Sequence, residues 1–228
     1  ALAVAVETGG LRALFLMLAG LAVVPLFWIR ESDASVVVRS KTDRRSKAVP
    51  AARVLLGALF LFTLGGSGVF QFVIVVGASE LGLTTATMSI AFSLNALAGI
   101  PAARWPLSRR GIPGPWMVAT ACMALTVGLA WSPWLFGAAI VIWGFTFWMA
   151  IPGVFAVLAA KSAYPEQRAG DAQAIMAAGR VVGPLLGGLA LETFGNEVFG
   201  VLGFITMASA GLAVTLIRLF AEPRANEE

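Results

Sequence analysis

A chain of 228 residues in which 59% are hydrophobic and 12% are charged carries more apolar surface than one soluble core of this size buries. With a mean hydropathy of +0.88, we expect a lipid bilayer to be its solvent. The absence of histidine disfavours zinc proteases, His-ligated haem proteins and Ser-His hydrolases, and the single cysteine, Cys122, excludes an internal disulfide. We predict a protein that is not an enzyme and holds neither a cofactor nor a metal.

Seven apolar stretches follow one another along the chain, and each is about long enough to cross a bilayer as a helix. They lack the alternation of barrel strands, and an unpaired backbone cannot face lipid, so all should be helical. In chain order the predicted spans are 11–29, 54–77, 86–103, 116–131, 134–160, 172–190 and 199–220. The sequence therefore predicts an all-α, polytopic membrane protein with about seven transmembrane helices.

The distribution of Lys and Arg predicts how these helices are oriented. Fourteen of the 16 basic residues lie in every second break between spans, in the tail or, for Arg218, in the last turn before the tail, and the largest group lies in 30–53. Because basic residues near helix ends are retained in the cytoplasm, we expect those breaks and the C-terminus inside and residue 1 outside. They flank apolar spans instead of lining one polar face, so we expect no nucleic-acid partner. The expected location is a bacterial inner (plasma) membrane.

The chain starts with an apolar run that has neither a charged leader region nor an initiator Met. We therefore expect that residue 1 is not the natural start. Either a signal peptide has been removed or the chain is part of a longer protein.

Two of the basic breaks carry distinctive residues. The first contains Gly99, a small residue that allows close approach of helices, followed by the charged residues Arg104 and Arg109 near the helix end. In the second, the segment 165–171 reads Pro-Glu-Gln-Arg-Ala-Gly-Asp and precedes a glycine-rich stretch, 179–188, that contains Pro184.

The long basic break follows one predicted span and precedes six. Together with the residues of the two breaks, this arrangement resembles the second half of a major facilitator superfamily transporter, from its sixth helix to its twelfth. The first motif is incomplete, because Ala103 replaces the acid of the family pattern, Pro106 its second glycine and Ser108 its first basic residue. The resemblance implies four segments: a sixth helix (1–29), a basic cytoplasmic interdomain loop (30–53), a six-helix bundle (54–220) and a cytoplasmic tail (221–228).

The resemblance also implies a function, namely transport of a small solute by alternating access. The implied partners are the lipid bilayer, a small-molecule substrate and a missing N-terminal half-bundle, without which the chain should be inactive. Efflux of a small organic molecule is the preferred direction, because polar cavity candidates are few. The alternative is a self-contained seven-helix membrane subunit or a receptor-like protein without transport activity.

Five charged residues are candidates for cytoplasmic gating, and each has a simpler interpretation beside it. Arg104 and Arg109 lie in the incomplete loop motif and can instead act as topology determinants only. Glu166, Arg168 and Asp171 can form a gate network or simply a solvated charged turn.

Arg180 is a candidate substrate ligand because it lies in the middle of a predicted span. Placing an arginine there costs about 2.5–3.5 kcal/mol on insertion scales, so it should face a wet cavity or a partner. No predicted span contains an acidic residue near its middle. The other interpretation is a structural arginine whose side chain reaches the cytoplasmic side.

The resemblance implies that the first, second, fourth and fifth helices of the six-helix half line the substrate cavity. On these spans, Gln71, Asn95, Trp148 and Arg180 are candidate binding residues, and Trp143 is a further candidate for an apolar wall. Gln71 and Asn95 can equally form hydrogen bonds between helices, and packing against neighbouring helices is the common role of such tryptophans.

Overall fold

The computed structural model describes residues 50–106, 111–160 and 165–220, the last three of these by their backbone alone, together with Leu16, Ala19 and Gly20. The chain divides into two compact units, Ala1–Arg45 and Ser46–Glu228, and nearly all of the described residues belong to the second. Most of the predicted span 11–29 and of the loop 30–53 lies outside the described residues. So do Arg109 and the tail 221–228.

The described part of the second unit is built of helices. Their bounds are Pro50–Phe70 (α1), Val73–Leu81 (α2), Thr85–Arg104 (α3), Pro113–Leu129 (α4), Pro133–Ala160 (α5) and Pro165–Phe220 (α6). Proline opens four of them because its missing N–H is not needed in a first helical turn. Thr84 caps α3 by accepting a hydrogen bond from the Thr87 amide at 3.2 Å.

The long element α6 consists of two helices that meet at Gly195. At about 1.5 Å per residue its 56 residues would extend more than twice the thickness of a hydrocarbon core. Gly195 has φ 80° and ψ 177°, a conformation that is essentially restricted to glycine. We call 165–194 the first arm and 196–220 the second arm.

Close contacts show that the two arms run in opposite directions. The first arm is parallel to α1, since Gly179 lies against Phe60 and Gly187 against Gly68. The second arm is antiparallel to α1, since Val69 lies against Gly203 and the Phe72 ring against Phe199. The predicted spans 172–190 and 199–220 are therefore separate passes through the bundle.

The other helices complete an alternating, up-and-down arrangement. Helices α1 and α2 form one apolar pass, Pro50–Leu81, and α3, α5 and α6 are also long and apolar enough to cross a membrane. Helix α4 is a shorter apolar helix of 17 residues. Contacts place α3 parallel to α5, and both α1 and α4 antiparallel to α5. The described chain thus makes six passes, and the prediction of a polytopic helical membrane protein is confirmed.

The alternation places the described basic helix ends at one end of the bundle, where Glu166 and Asp171 also lie. Arg53 at the start of α1, Arg104 at the end of α3 and Arg168 at the start of α6 lie at one end. Glu80 and Glu192 lie at the other end. The alternating charge pattern of the sequence therefore corresponds to two distinct faces of the folded unit.

Three predicted boundaries were wrong. The span 54–77 is interrupted at Gln71–Phe72, where the Phe72 amide bonds to the Val69 carbonyl at 3.0 Å and tightens the turn. The segment 165–171, predicted as a loop, is the helical start of α6, which Pro165 initiates. The break expected between 191 and 198 is reduced to Gly195 alone, because one glycine at this φ and ψ is enough to reverse the chain.

Glycine contacts hold the helices at short distance. Gly68 of α1 lies against the backbone of Gly183 and Gly187 in the first arm, and Gly128 of α4 lies against Gly200 in the second arm. Within lipid there is no hydrophobic force between helices, so close van der Waals contact of small residues is the main source of association.

Candidate substrate cavity

A cavity of about 310 Å³ lies among α1, α3, α5 and the first arm. Its lining residues are Phe62, Thr63, Gly66, Ser67, Phe70 and Gln71 from α1 and its terminal turn, Asn95 from α3, Trp143, Gly144, Phe147 and Trp148 from α5, and Arg180 from the first arm. These are the four passes that the family resemblance implies as the walls of the substrate cavity. All five predicted substrate-binding residues, Arg180, Asn95, Gln71, Trp148 and Trp143, line this one cavity.

Arg180 brings a positive charge to the cavity about halfway along the first arm. It is 15 residues from Pro165, which is about 22 Å along a helix axis. Its side chain is exposed, and no described residue forms an ion pair or hydrogen bond with its guanidinium group. The glycine before it lets the helix approach α1 closely, because a side chain at Gly179 would collide with Thr63.

The two predicted amide ligands differ in their contacts. Asn95 Nδ2 donates a hydrogen bond of 2.6 Å to the Ile140 carbonyl, so Asn95 links α3 to α5 while lining the cavity. Gln71 lies in the turn between α1 and α2, and its exposed side chain forms no hydrogen bond with a described residue. An interhelical role is therefore observed for Asn95 and not for Gln71.

Aromatic rings form the apolar wall of the cavity. Phe62 stacks on Phe147 with ring centroids 5.9 Å apart, and Phe147 lies perpendicular to Trp148 at 5.7 Å. Phe70 contacts Trp143 at 5.4 Å. Trp143 is only 4% exposed and mainly packs, whereas Trp148 is 47% exposed and offers its surface to the cavity.

Gly99 connects the incomplete loop motif with the cavity. It lies inside α3, and an added Cβ would come within 2.8 Å of Trp148 Cδ1. The missing side chain at Gly99 thus makes room for the Trp148 indole. Arg104, the next residue of the motif, is exposed as the last residue of α3.

The remaining gating candidates lie in the first turns of α6. Arg168 Nη1 and Asp171 Oδ2 form an ion pair of 2.5 Å, with side-chain exposures of 6% and 13%. A solvated charged turn does not describe this pair, because both side chains are largely removed from solvent. Glu166 is exposed beside them.

Several lining residues were not selected from the sequence. Thr63 and Ser67 are one helical turn apart, and Phe70 and Gln71 follow on the same side of α1. Such spacing of three to four residues marks one helix face. Extending that pattern backwards from Gln71 would have found the two hydroxyl residues.

Alternating apolar passes around a partly polar cavity, with a cation deep in one helix, define a polytopic helical membrane transporter. Comparison with protein-family models gives a match to the Major Facilitator Superfamily over residues 1–180 of the 228. The chain therefore belongs to the Major Facilitator Superfamily. No curated protein matches it significantly.

Proposed function

We propose that this chain contributes the substrate cavity of a secondary transporter that moves a small solute by alternating access. Family membership supports membrane transport in general. The observation that carries the proposal is the convergence of Arg180, Asn95, Gln71 and Trp148 from four passes on one cavity. Transporters of this architecture bind their substrates near the middle of the membrane, where their helical repeats meet.

We further propose that the chain is the C-terminal half of the transporter and needs an N-terminal half-bundle. In this division, 1–29 is the sixth helix, 30–53 the interdomain loop, 54–220 the bundle and 221–228 the tail. Apolar side chains are exposed on the two helices beside the cavity, namely Ile90, Leu94 and Leu97 on α3 and Val181, Leu185 and Leu189 on the first arm. If lipid alone covered these faces, Arg180 would open towards hydrocarbon at a cost of about 2.5–3.5 kcal/mol. A second bundle offsets that cost by enclosing a wet cavity.

The proposed orientation places the end with Arg53, Arg104 and Arg168 in the cytoplasm, in keeping with the retention of basic residues there. The proposed membrane is the bacterial inner membrane, and the proposed direction is efflux. The gating role proposed for the Arg168–Asp171 pair rests on its location at this cytoplasmic end of the first arm.

Transport assays in proteoliposomes test these proposals. The 228-residue chain and the product of the complete reading frame are each reconstituted and supplied with labelled organic acids, amines and sugars, with uptake and release both measured. We expect saturable transport only by the complete product, reduced at least about tenfold by Trp148→Ala or Gln71→Ala. The control is Leu212→Ala, an exposed residue of the second arm outside the cavity.

Two results would overturn separate parts of the proposal. Transport by the 228-residue chain alone would exclude the half-transporter assignment. Unchanged transport by both cavity variants would show that the substrate binds elsewhere.

A further inference from the structure

We propose that the cavity takes an organic monoanion that carries an aromatic or similarly bulky apolar group. This inference rests on the proposed function and specifies its substrate class. It follows from the charge of the lining residues, from their uncommitted hydrogen-bond donors and from the aromatic wall.

The charge of the cavity lining is a single positive one. None of the 12 lining residues is acidic, and Arg180 is the only basic one among them. Its guanidinium group cannot lose its proton, and its fork of N–H donors matches a carboxylate in a bidentate pair. A monoanion neutralises this charge, whereas a cation would be repelled, because the part of the lining that this chain contributes holds no compensating carboxylate.

Three other donors of the lining are already used within the protein. Ser67 Oγ and Thr63 Oγ1 donate to main-chain carbonyls one turn earlier in α1 at 2.7 and 2.8 Å. Asn95 commits one N–H to a carbonyl of α5 at 2.6 Å. Arg180 and Gln71 thus supply most of the donors without a partner among the described residues. Such a site suits one carboxylate or a similar small anionic group and offers little to a polyol, whose many hydroxyls each need a partner.

The rest of the lining is apolar and aromatic. Trp148 presents a half-exposed indole that is fixed by a perpendicular contact with Phe147 and by the space left at Gly99. Gly66 and Gly144 add main-chain surface to the adjoining part of the wall. A flat apolar group can therefore stack against Trp148 while its anionic group pairs with Arg180, and a ligand of this type uses both parts of the cavity.

Three probes with one ring system and different charge test the inference: 2-naphthoate, 2-naphthamide and 2-naphthylmethylammonium. Binding is measured by equilibrium dialysis of the radiolabelled probes against the complete protein in nanodiscs at pH 7. We expect 2-naphthoate to bind at least about tenfold more tightly than the amide, and the ammonium probe to bind most weakly.

Variants then assign this preference to one residue. Arg180→Gln should abolish the difference between 2-naphthoate and 2-naphthamide, and Arg180→Lys should retain part of it because the charge stays while the fork is lost. The control Arg53→Gln removes an exposed cation near the start of α1, outside the cavity, and should change nothing. Thermal unfolding of each variant confirms that it is folded.

Equal affinity for the three probes, or a preference for 2-naphthoate that survives Arg180→Gln, would overturn the inference. If Trp148→Ala then weakened all three probes alike, the cavity would still be a binding site and the proposed function would stand. Absence of binding by every probe would also overturn the monoanion class, and the transport assay decides the proposed function separately.

Discussion

Gly144 is the point at which α5 lies closest to α3, and Gly144→Ala tests how the cavity wall is held together. A Cβ at this position would overlap the Asn95 carbonyl oxygen and fall 2.9 Å from both the carbonyl carbon and Cγ of Asn95. Carbon atoms pack at about 3.5–4.0 Å, so the two helices must separate by at least about 0.6–1.1 Å. The bond from Asn95 Nδ2 to the Ile140 carbonyl would then lengthen from 2.6 Å to about 3.2–3.7 Å, which is at or beyond the upper limit of a hydrogen bond, so the bond would be weakened or lost.

Together these changes should measurably lower the free energy of unfolding. Overpacking of this kind costs about 1–3 kcal/mol, and the weakened hydrogen bond adds about 0.5–1.5 kcal/mol. Alanine recovers up to about 1 kcal/mol through its higher helix propensity. We therefore expect Gly144→Ala to lower the free energy of unfolding by about 2 kcal/mol.

The matched control for this variant is Gly137→Ala in the same helix. No atom lies within 4 Å of a Cβ built at Gly137, so only the gain in helix propensity should remain. Both variants are purified in one detergent, and unfolding is followed by tryptophan fluorescence during a denaturant titration. Equal stability of Gly144→Ala and Gly137→Ala would refute the close approach of α3 and α5.

Two further variants test other parts of the bundle by the same unfolding measurement. Asp171→Ala removes one charged partner of the buried Arg168 and should cost about 1.5–3 kcal/mol, the range of a hydrogen bond to a charged group. The exposed Glu192→Gln should have little effect, and equal losses would argue against a buried pair. Gly195→Ala should cost about 1–3 kcal/mol because φ 80° with ψ 177° is strained for alanine, and Gly170→Ala, which has open space and a helical backbone, should be tolerated. A neutral Gly195→Ala would mean that the two arms join in another conformation.

The six passes of the described residues were predictable because each crossing requires a long apolar run and because polar breaks separate such runs. The grouping of Arg53, Arg104 and Arg168 at one end followed from the alternation of basic breaks. The interruption at Gln71 was not predictable. Neither Gln71 nor Phe72 is a glycine or proline, and the apolar composition continues on both sides of the turn.

The cavity residues could be named from the sequence to the extent that they are unusual in an apolar span. Arg180 stands out for its charge and Asn95 for its amide, and the family resemblance indicated which helices meet around the cavity. Their contacts depend on how distant helices cross. The hydrogen bond of Asn95 reaches a carbonyl group 45 positions further along the chain, and the contact between Gly99 and Trp148 spans 49 positions. No local sequence pattern reveals such contacts.

The contact between α3 and α5 explains why the helix packing and the cavity depend on the same residues. Gly144 admits the backbone of Asn95, and one turn further along both helices Gly99 admits the indole of Trp148. Each glycine therefore permits close packing and at the same time places a side chain that lines the cavity. The Gly128–Gly200 contact joins α4 to the second arm, and neither helix contributes to the lining. Small residues thus serve packing throughout the described bundle, and between α3 and α5 they also determine which side chains line the cavity.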